Sequence, residues 1–376
     1  MHVGLNLVYL VPGEIGGMEI YARELIPALL TERPDLRLTA FINREATESK
    51  EGPWRDLVPS VTVPVRARRR TEWVRGEQQL LPRLAAREGI DLLHSLASTA
   101  PAWGAFRRVV TINDVIYRVY PEAHFGVRSR ALGLLIPLAA RRSHRVIAPS
   151  TNTRDDLVRL LKVPSEKIDV VPDGVGTTDS KTPLGEGEIR ARYDLGARPF
   201  VLTLSAKRPH KNLPRLLDAL ALIPRDRRPV LVLPGYSTPH EGELQRQAAA
   251  LDLGADVRFV GWVSAEEVEG LYRCAACFVL PSLYEGFGLP VLEAMARGVP
   301  VACSDRASLA EVAGDAARLF DPERPQAIAD AIEVLLRDRE EAARLRAAGL
   351  ERATLFSWNA TARGTLATYE RALASE

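Results

Sequence analysis

Glu285 and Glu293 stand eight positions apart in Pro281-Ser-Leu-Tyr-Glu285-Gly-Phe-Gly-Leu-Pro-Val-Leu-Glu293-Ala-Met-Ala-Arg-Gly298. Carboxylates accept hydrogen bonds from hydroxyl groups, and backbone amides at a glycine-rich turn donate to phosphate oxygens. The apolar stretch Cys277–Leu280 ahead of the pair reads as a strand, and Gly286 and Gly288 as a tight turn. Pro290 suits a first helical position and Gly298 a helix end. Strand, turn and helix then place one carboxylate before the turn and the other about a turn inside the helix. The positive end of the helix dipole points into the same space. Such a site favours a ligand carrying both phosphate and hydroxyl groups.

A second group of candidates follows another apolar run, Phe200–Leu204: the cations Lys207, Arg208 and Lys211. A diphosphate leaving group gains negative charge as its bond to carbon breaks, and fixed cations neutralise that charge without a metal. A solvated basic loop is the plain alternative; the position at a strand's carboxyl end favours function. Asn113-Asp114 ends the run Arg108–Ile112 and His94 ends Asp91–His94, so either can hydrogen-bond a sugar hydroxyl. A histidine at a strand end is more often satisfied by nearby backbone. Between the first strand and first helix, the adjacent Gly16 and Gly17 let the backbone approach a ligand closely. The spacing is not G-x-G-x-x-G, which argues against a dinucleotide dehydrogenase. The C-x-x-C at Cys274 and Cys277 lacks a second ligand pair, so packing is preferred over zinc or redox chemistry. Residues 65–75, with arginines at 66, 68, 69, 70 and 75 around Trp73, can meet an anionic acceptor or a membrane surface; a solvated loop is the preferred reading.

These candidates need a scaffold, and 376 residues suit two domains, each large enough for its own core. Short apolar runs alternate with helical patterns throughout, which argues α/β with mainly parallel sheets. Candidate strands of the first half are 3–10, 36–42, 91–94, 108–112, 145–148 and 168–171, with a helix over 19–30. Those of the second half are 200–204, 230–233, 257–259, 277–280, 299–302 and 318–320. Residues 172–187, rich in Gly, Pro, Thr and Asp, form the linker candidate. Two doubly wound halves imply a cleft at the carboxyl ends of both sheets. Fifty basic and 48 acidic residues give a net charge of +2, which does not call for nucleic acid. Residues 1–178 hold 25 basic against 20 acidic residues, a modest hint of an anionic partner there. The start lacks a signal-peptide pattern and the apolar run 131–140 is too short to span a membrane, so a cytoplasmic protein is expected. That run, with arginines at both ends, is read as a buried helix in preference to a membrane contact.

With these residues in view, the chain resembles the GT-B-fold glycosyltransferases of glycosyltransferase family 4, the retaining, nucleotide-sugar-dependent type. The likeness covers nearly the whole chain. Its most specific part is the E-x7-E motif from Glu285 to Glu293, supported by Gly16-Gly17, Lys211-Asn-Leu, Val146-Ile-Ala-Pro-Ser150, Val171-Pro-Asp-Gly174-Val and Phe259-Val-Gly261-Trp-Val263. The resemblance implies that Lys211 and a neighbouring arginine hold the donor diphosphate. Glu285 would contact the donor sugar beside the amides of Gly286, Phe287, Gly288 and Leu289, and Glu293 would bind the ribose hydroxyls. Trp262 and Val263 would lie beside the base, and Gly16-Gly17 would approach the phosphates or sugar. Retention would proceed by front-side attack, so no protein nucleophile is assigned. Two positions depart from the family pattern. Asn113 stands where many relatives carry histidine, and it cannot act as acid or base. Ala206 aligns with the usual phosphate-binding arginine, so Lys207 or Arg208 must replace it; Arg208 is favoured for its bidentate reach, and the choice stays open here.

The resulting expectation is an α/β fold of two Rossmann-like, doubly wound domains facing across a cleft (GT-B). Residues 1–178, joined by a C-terminal helix at 357–376 that crosses back, form the acceptor side; residues 179–356 bind the nucleotide sugar. The expected function is metal-independent transfer of a hexose-type residue from a nucleoside diphosphate sugar to an acceptor hydroxyl. The catalytic candidates are Glu285, Lys211, Arg208 and Asn113. No cofactor is expected, the nucleotide sugar being the substrate, and the chain contains no D-x-D. Sugar, lipid-linked and small-molecule acceptors all stay open, as do oligomeric state and a weak peripheral contact at the inner membrane face. The alternatives are a sugar-nucleotide epimerase of the same fold and a catalytically silent sugar-nucleotide-binding protein.

Overall fold

A computed structural model describes residues 1–14, 16–49, 51–52, 54–121, 127–176 and 182–374. The chain divides into two compact units, Met1–Gly174 with Phe356–Glu376, and Val175–Leu355. The domain limit expected at residue 178 and the middle of the linker candidate lie outside the described residues.

The first unit is built on seven parallel strands: β1 His2–Leu7, β2 Arg37–Ile42, β3 Ser60–Thr62, β4 Leu92–Ser95, β5 Arg107–Thr111, β6 Arg145–Ala148 and β7 Ile168–Val170. Their order is β3-β2-β1-β4-β5-β6-β7. All six residues of β1 are buried, which is why it reads as a continuous apolar run: both faces of a parallel sheet are covered. Val3 pairs with Leu38 on one side and Leu92 on the other, so the strand order reverses between β1 and β4. The carboxyl ends at such a switch point form the crevice where ligands bind in open α/β sheets. The helix Gly17–Glu32 packs against Trp358–Ala374, the C-terminal helix that returns to this unit. Tyr21 meets Trp358 edge-on with ring centroids 5.8 Å apart. At Gly174 a Cβ would lie 2.3 Å from the Trp358 amide nitrogen, so only glycine allows the chain to pass there.

The second unit carries six parallel strands: β8 Phe200–Leu202, β9 Val230–Leu233, β10 Val257–Phe259, β11 Cys277–Leu280, β12 Val301–Ser304 and β13 Arg318–Phe320. The order β10-β9-β8-β11-β12-β13 puts the switch point between β8 and β11. The cations at 207–211 follow β8 and the glutamate turn follows β11, so topology alone brings them side by side.

Strand ends differ from the sequence expectation where a turn competes for the amide. Leu10 N–H bonds back to Leu7 O, which ends β1 three residues early, and Val299 N–H caps the preceding helix at Ala294 O, which delays β12. The short edge strand β3 has no counterpart in the sequence reading; only three residues long and half exposed, it carries too little apolar pattern.

Candidate functional site

The turn after β11 is fixed by glycine at its corner. Gly288 has φ 112°, a left-handed conformation, and a Cβ there would come within 2.7 Å of Leu309. The helix Leu289–Ala296 starts directly after it, so Pro290 takes the second helical position and not the first. Gly298, at φ 66°, turns the chain out of the helix end.

Before the turn, Glu285 is almost fully buried and holds two partners. Lys211 Nζ lies 2.6 Å from its Oε1, and Ser282 Oγ donates to the same oxygen at 2.6 Å. Lys211 ends the short 3-10 turn Pro209–Lys211. Asn212 secures that turn, its Nδ2 donating to Pro281 O at 3.1 Å and Pro322 O at 2.7 Å, while Leu283 N–H bonds to His210 O. From the other side, Ser308 Oγ lies 2.9 Å from Glu285 O and 2.8 Å from Phe287 O. The residue before it, Ala307, sits at φ 53° and ψ −137°, a conformation that costs a non-glycine residue about 1–3 kcal/mol. Strain of this kind persists only where surrounding contacts determine it.

Inside the helix, Glu293 Oε2 accepts a hydrogen bond from Tyr272 Oη at 2.9 Å. Burial raises the Glu293 carboxyl above the ordinary glutamate range; Arg297 and the tyrosine hydrogen bond act in the opposite direction. The structure thus brings Glu285, Lys211, Gly286, Phe287, Gly288, Leu289 and Glu293 together around one helix N-terminus. An anion at that terminus would meet amide donors and the positive end of the dipole, with a lysine beside it.

The two alternatives for the missing arginine separate. Lys207 is fully buried and its ammonium donates to Gly235 O at 2.9 Å and Val260 O at 2.8 Å. It ties the segments after β8, β9 and β10 together, which corrects its reading as a ligand-facing cation. Arg208 is partly exposed, and among the described residues its guanidinium has no hydrogen-bond or ion-pair partner. Trp262 is 61% exposed and stacks on Tyr236 with centroids 4.6 Å apart; Val263 is buried behind it. Tyr236, Tyr272, Ser282 and Ser308 are absent from the sequence candidates. No motif announces them, because their roles depend on neighbours brought in by the fold.

In the first unit, Gly16 at φ 63° precedes the helix that Gly17 begins, and Gly17 is exposed. Asn113 is partly exposed beyond β5, its N–H bonded to Ser98 Oγ, and Asp114 Oδ1 accepts from Ile116 N–H. His94 is removed from the candidates. It is wholly buried, its ring nitrogens lie 2.8 Å from Tyr369 Oη and 2.8 Å from Thr111 Oγ1, and burial pushes its pKa down to about 3. The arginine stretch is also largely neutralised: Arg66 pairs with Glu48, Arg68 with Glu14 and Arg69 with Glu72. Among the described residues, no helix is long and apolar enough to cross a membrane.

Two family descriptions match the chain: Glycosyl transferases group 1 over residues 186–352, and Glycosyltransferase Family 4 over residues 15–179. O-antigen chain mannosyltransferase B of Escherichia coli is 32% identical over 269 residues, 70% of this chain and 70% of that protein. The chain is a family 4 glycosyltransferase. For further curated glycosyltransferases of this kind, the match spans 33% to 60% of their own length. The GT-B architecture is shared with sucrose-phosphate synthase from Thermosynechococcus elongatus, at a TM-score of 0.78 and 23% identity over the whole of both chains. It is shared as well with Anabaena HepE in complex with UDP-glucose, at a TM-score of 0.76 and 20% identity over 98% of this chain and 100% of that one.

Proposed function

We propose that this glycosyltransferase moves a hexose-type residue from a nucleoside diphosphate sugar to an acceptor hydroxyl with retention of configuration. The observation that carries the proposal is the ion pair of Lys211 with Glu285, 2.6 Å apart at the N-terminus of the helix that holds Glu293. A diphosphate placed at that terminus takes up the Lys211 ammonium and the helix dipole, and the charge that develops on the leaving phosphate is met by groups already in place. Arg208, whose guanidinium has no partner among the described residues, is the second cation of the same loop. Glu285, freed from Lys211, accepts a hydroxyl of the transferred sugar, and Glu293 accepts the ribose hydroxyls. Trp262 supplies an exposed ring face for the base. The leaving phosphate takes the acceptor's proton, so the chain supplies no nucleophile, and Asn113 in the first unit is the candidate partner for a sugar hydroxyl. Charge neutralisation in this account needs no metal.

The name of the Escherichia coli relative makes mannose the first sugar to assay, and the HepE complex makes UDP-glucose the comparison. The test is release of nucleoside diphosphate from GDP-mannose and UDP-glucose without acceptor, alongside thermal shift with each. Slow release together with a raised Tm supports the transferase, since a ligand that binds only the native state stabilises it. Interconversion of the sugar without release would mean an epimerase, and binding with neither would mean a silent protein.

A further inference from the structure

Tyr272 lies on the helix Ala265–Cys274 with its side chain wholly buried, and its hydroxyl reaches 21 residues along the chain to Glu293. Its ring packs against Phe278 of β11, centroids 5.7 Å apart, and Arg297 lies over the ring at 5.1 Å. The arginine is itself held by Glu269, Nε to Oε2 at 2.6 Å, and donates to the Glu293 carbonyl at 3.0 Å. Arg273 pairs with the other oxygen of Glu269 at 3.0 Å. Packing alone would be served by phenylalanine. Among the described residues, the hydroxyl has two acceptors, the Glu293 carboxylate at 2.9 Å and the Pro290 carbonyl at 3.4 Å.

We propose that Tyr272 is a positioning residue for Glu293: its hydroxyl occupies Oε2, fixes the plane of the carboxylate and leaves Oε1 to accept a hydroxyl of the ribose of a bound nucleoside diphosphate. The inference rests on the assignment of Glu293 to the ribose. Among the described residues Oε2 accepts from Tyr272 and no hydrogen bond reaches Oε1; Glu293 is only partly buried, so Oε1 is open to accept a ribose hydroxyl as a charge-assisted hydrogen bond. The groups facing Glu293 set its protonation as well as its aim. Burial and the Glu269 carboxylate favour the neutral acid, while Arg297 and the Tyr272 hydroxyl favour the anion that a ribose hydroxyl requires. Removing the hydroxyl therefore has two effects: the carboxylate loses its fixed plane, and its titration moves to higher pH. The result is discrimination at the sugar of the nucleotide, exerted by a residue that does not touch it.

Tyr272→Phe keeps the ring, so the fold is retained and Tm is expected to move by only a few degrees. Binding of UDP and GDP, and of their 2′,3′-dideoxy counterparts, is measured by calorimetry from pH 5.5 to 8.5 for the wild type, Tyr272→Phe and Glu293→Gln. For the ribonucleotide that binds more tightly, Tyr272→Phe is expected to raise Kd about tenfold, as for loss of a hydrogen bond to a charged group. The dideoxy form should bind both proteins alike. As pH falls, affinity is lost when Glu293 takes a proton; that loss should begin at higher pH in Tyr272→Phe and vanish in Glu293→Gln. Wild-type affinity and an unmoved pH midpoint in Tyr272→Phe, beside weakened binding in Glu293→Gln, would overturn the role of Tyr272 and leave Glu293 on the ribose. Wild-type binding in Glu293→Gln would overturn both.

Discussion

Lys207 and Lys211 are four positions apart in one loop and have opposite fates. The first is buried among backbone carbonyls and the second pairs with Glu285. Residue type alone cannot separate them, since what decides is which strand-end segment each side chain faces after folding. Ser308 is a similar case. Its hydroxyl spans the carbonyls on either side of Gly286, and Ser308→Ala is expected to cost about 1 kcal/mol of stability while slowing turnover more than it weakens donor binding. Separate kcat and KM measurements check this. Asp173 gives a test with a defined sign. It is buried, Oδ1 lacks a hydrogen-bond partner among the described residues, and desolvation raises its pKa to about 7. The folded protein then holds a proton on this group between the unfolded value of about 3.8 and pH 7, so its contribution to stability is fully present below that window and lost as pH rises through it. Asp173→Asn is expected to raise Tm at pH 8 and to give no such gain at pH 4. An equal shift at both values would show that charge burial is not the cause.

At the scale of elements, the strand-turn-helix around Glu285 and Glu293 is legible in the sequence because its determinants are local: a glycine where φ is positive, a proline near the helix start, an apolar run before it. The ties between elements are not legible. Tyr272 reaches Glu293 from the neighbouring helix, Lys207 joins three strand-end segments, and both depend on contacts between distant parts of the chain. His94 shows the converse error, since a strand end that looks exposed in sequence is covered by Tyr369 of the returning helix. That helix relies on Gly174. With 2.3 Å between a prospective Cβ and the Trp358 nitrogen, Gly174→Ala must displace the helix start, at a cost of about 2 kcal/mol or more. Chemical denaturation should register the loss, and an unchanged midpoint would mean the backbone there yields freely.

For the molecule as a whole, the alternation of apolar runs with helical periods is sufficient to read two doubly wound units, because fully buried parallel strands leave a near-continuous apolar signature. Strand order is less accessible, yet it places the site: with β8 beside β11, the loop of Lys211 and the turn of Glu285 become neighbours. The central claim is that this pairing receives the donor diphosphate, and it is tested most directly by Lys211→Ala. With the sugar nucleotide that stabilises the wild type, kcat/KM for release of nucleoside diphosphate is expected to fall by about 100-fold or more, with Tm changed by no more than a few degrees. Wild-type kcat/KM in a folded Lys211→Ala protein would contradict the account.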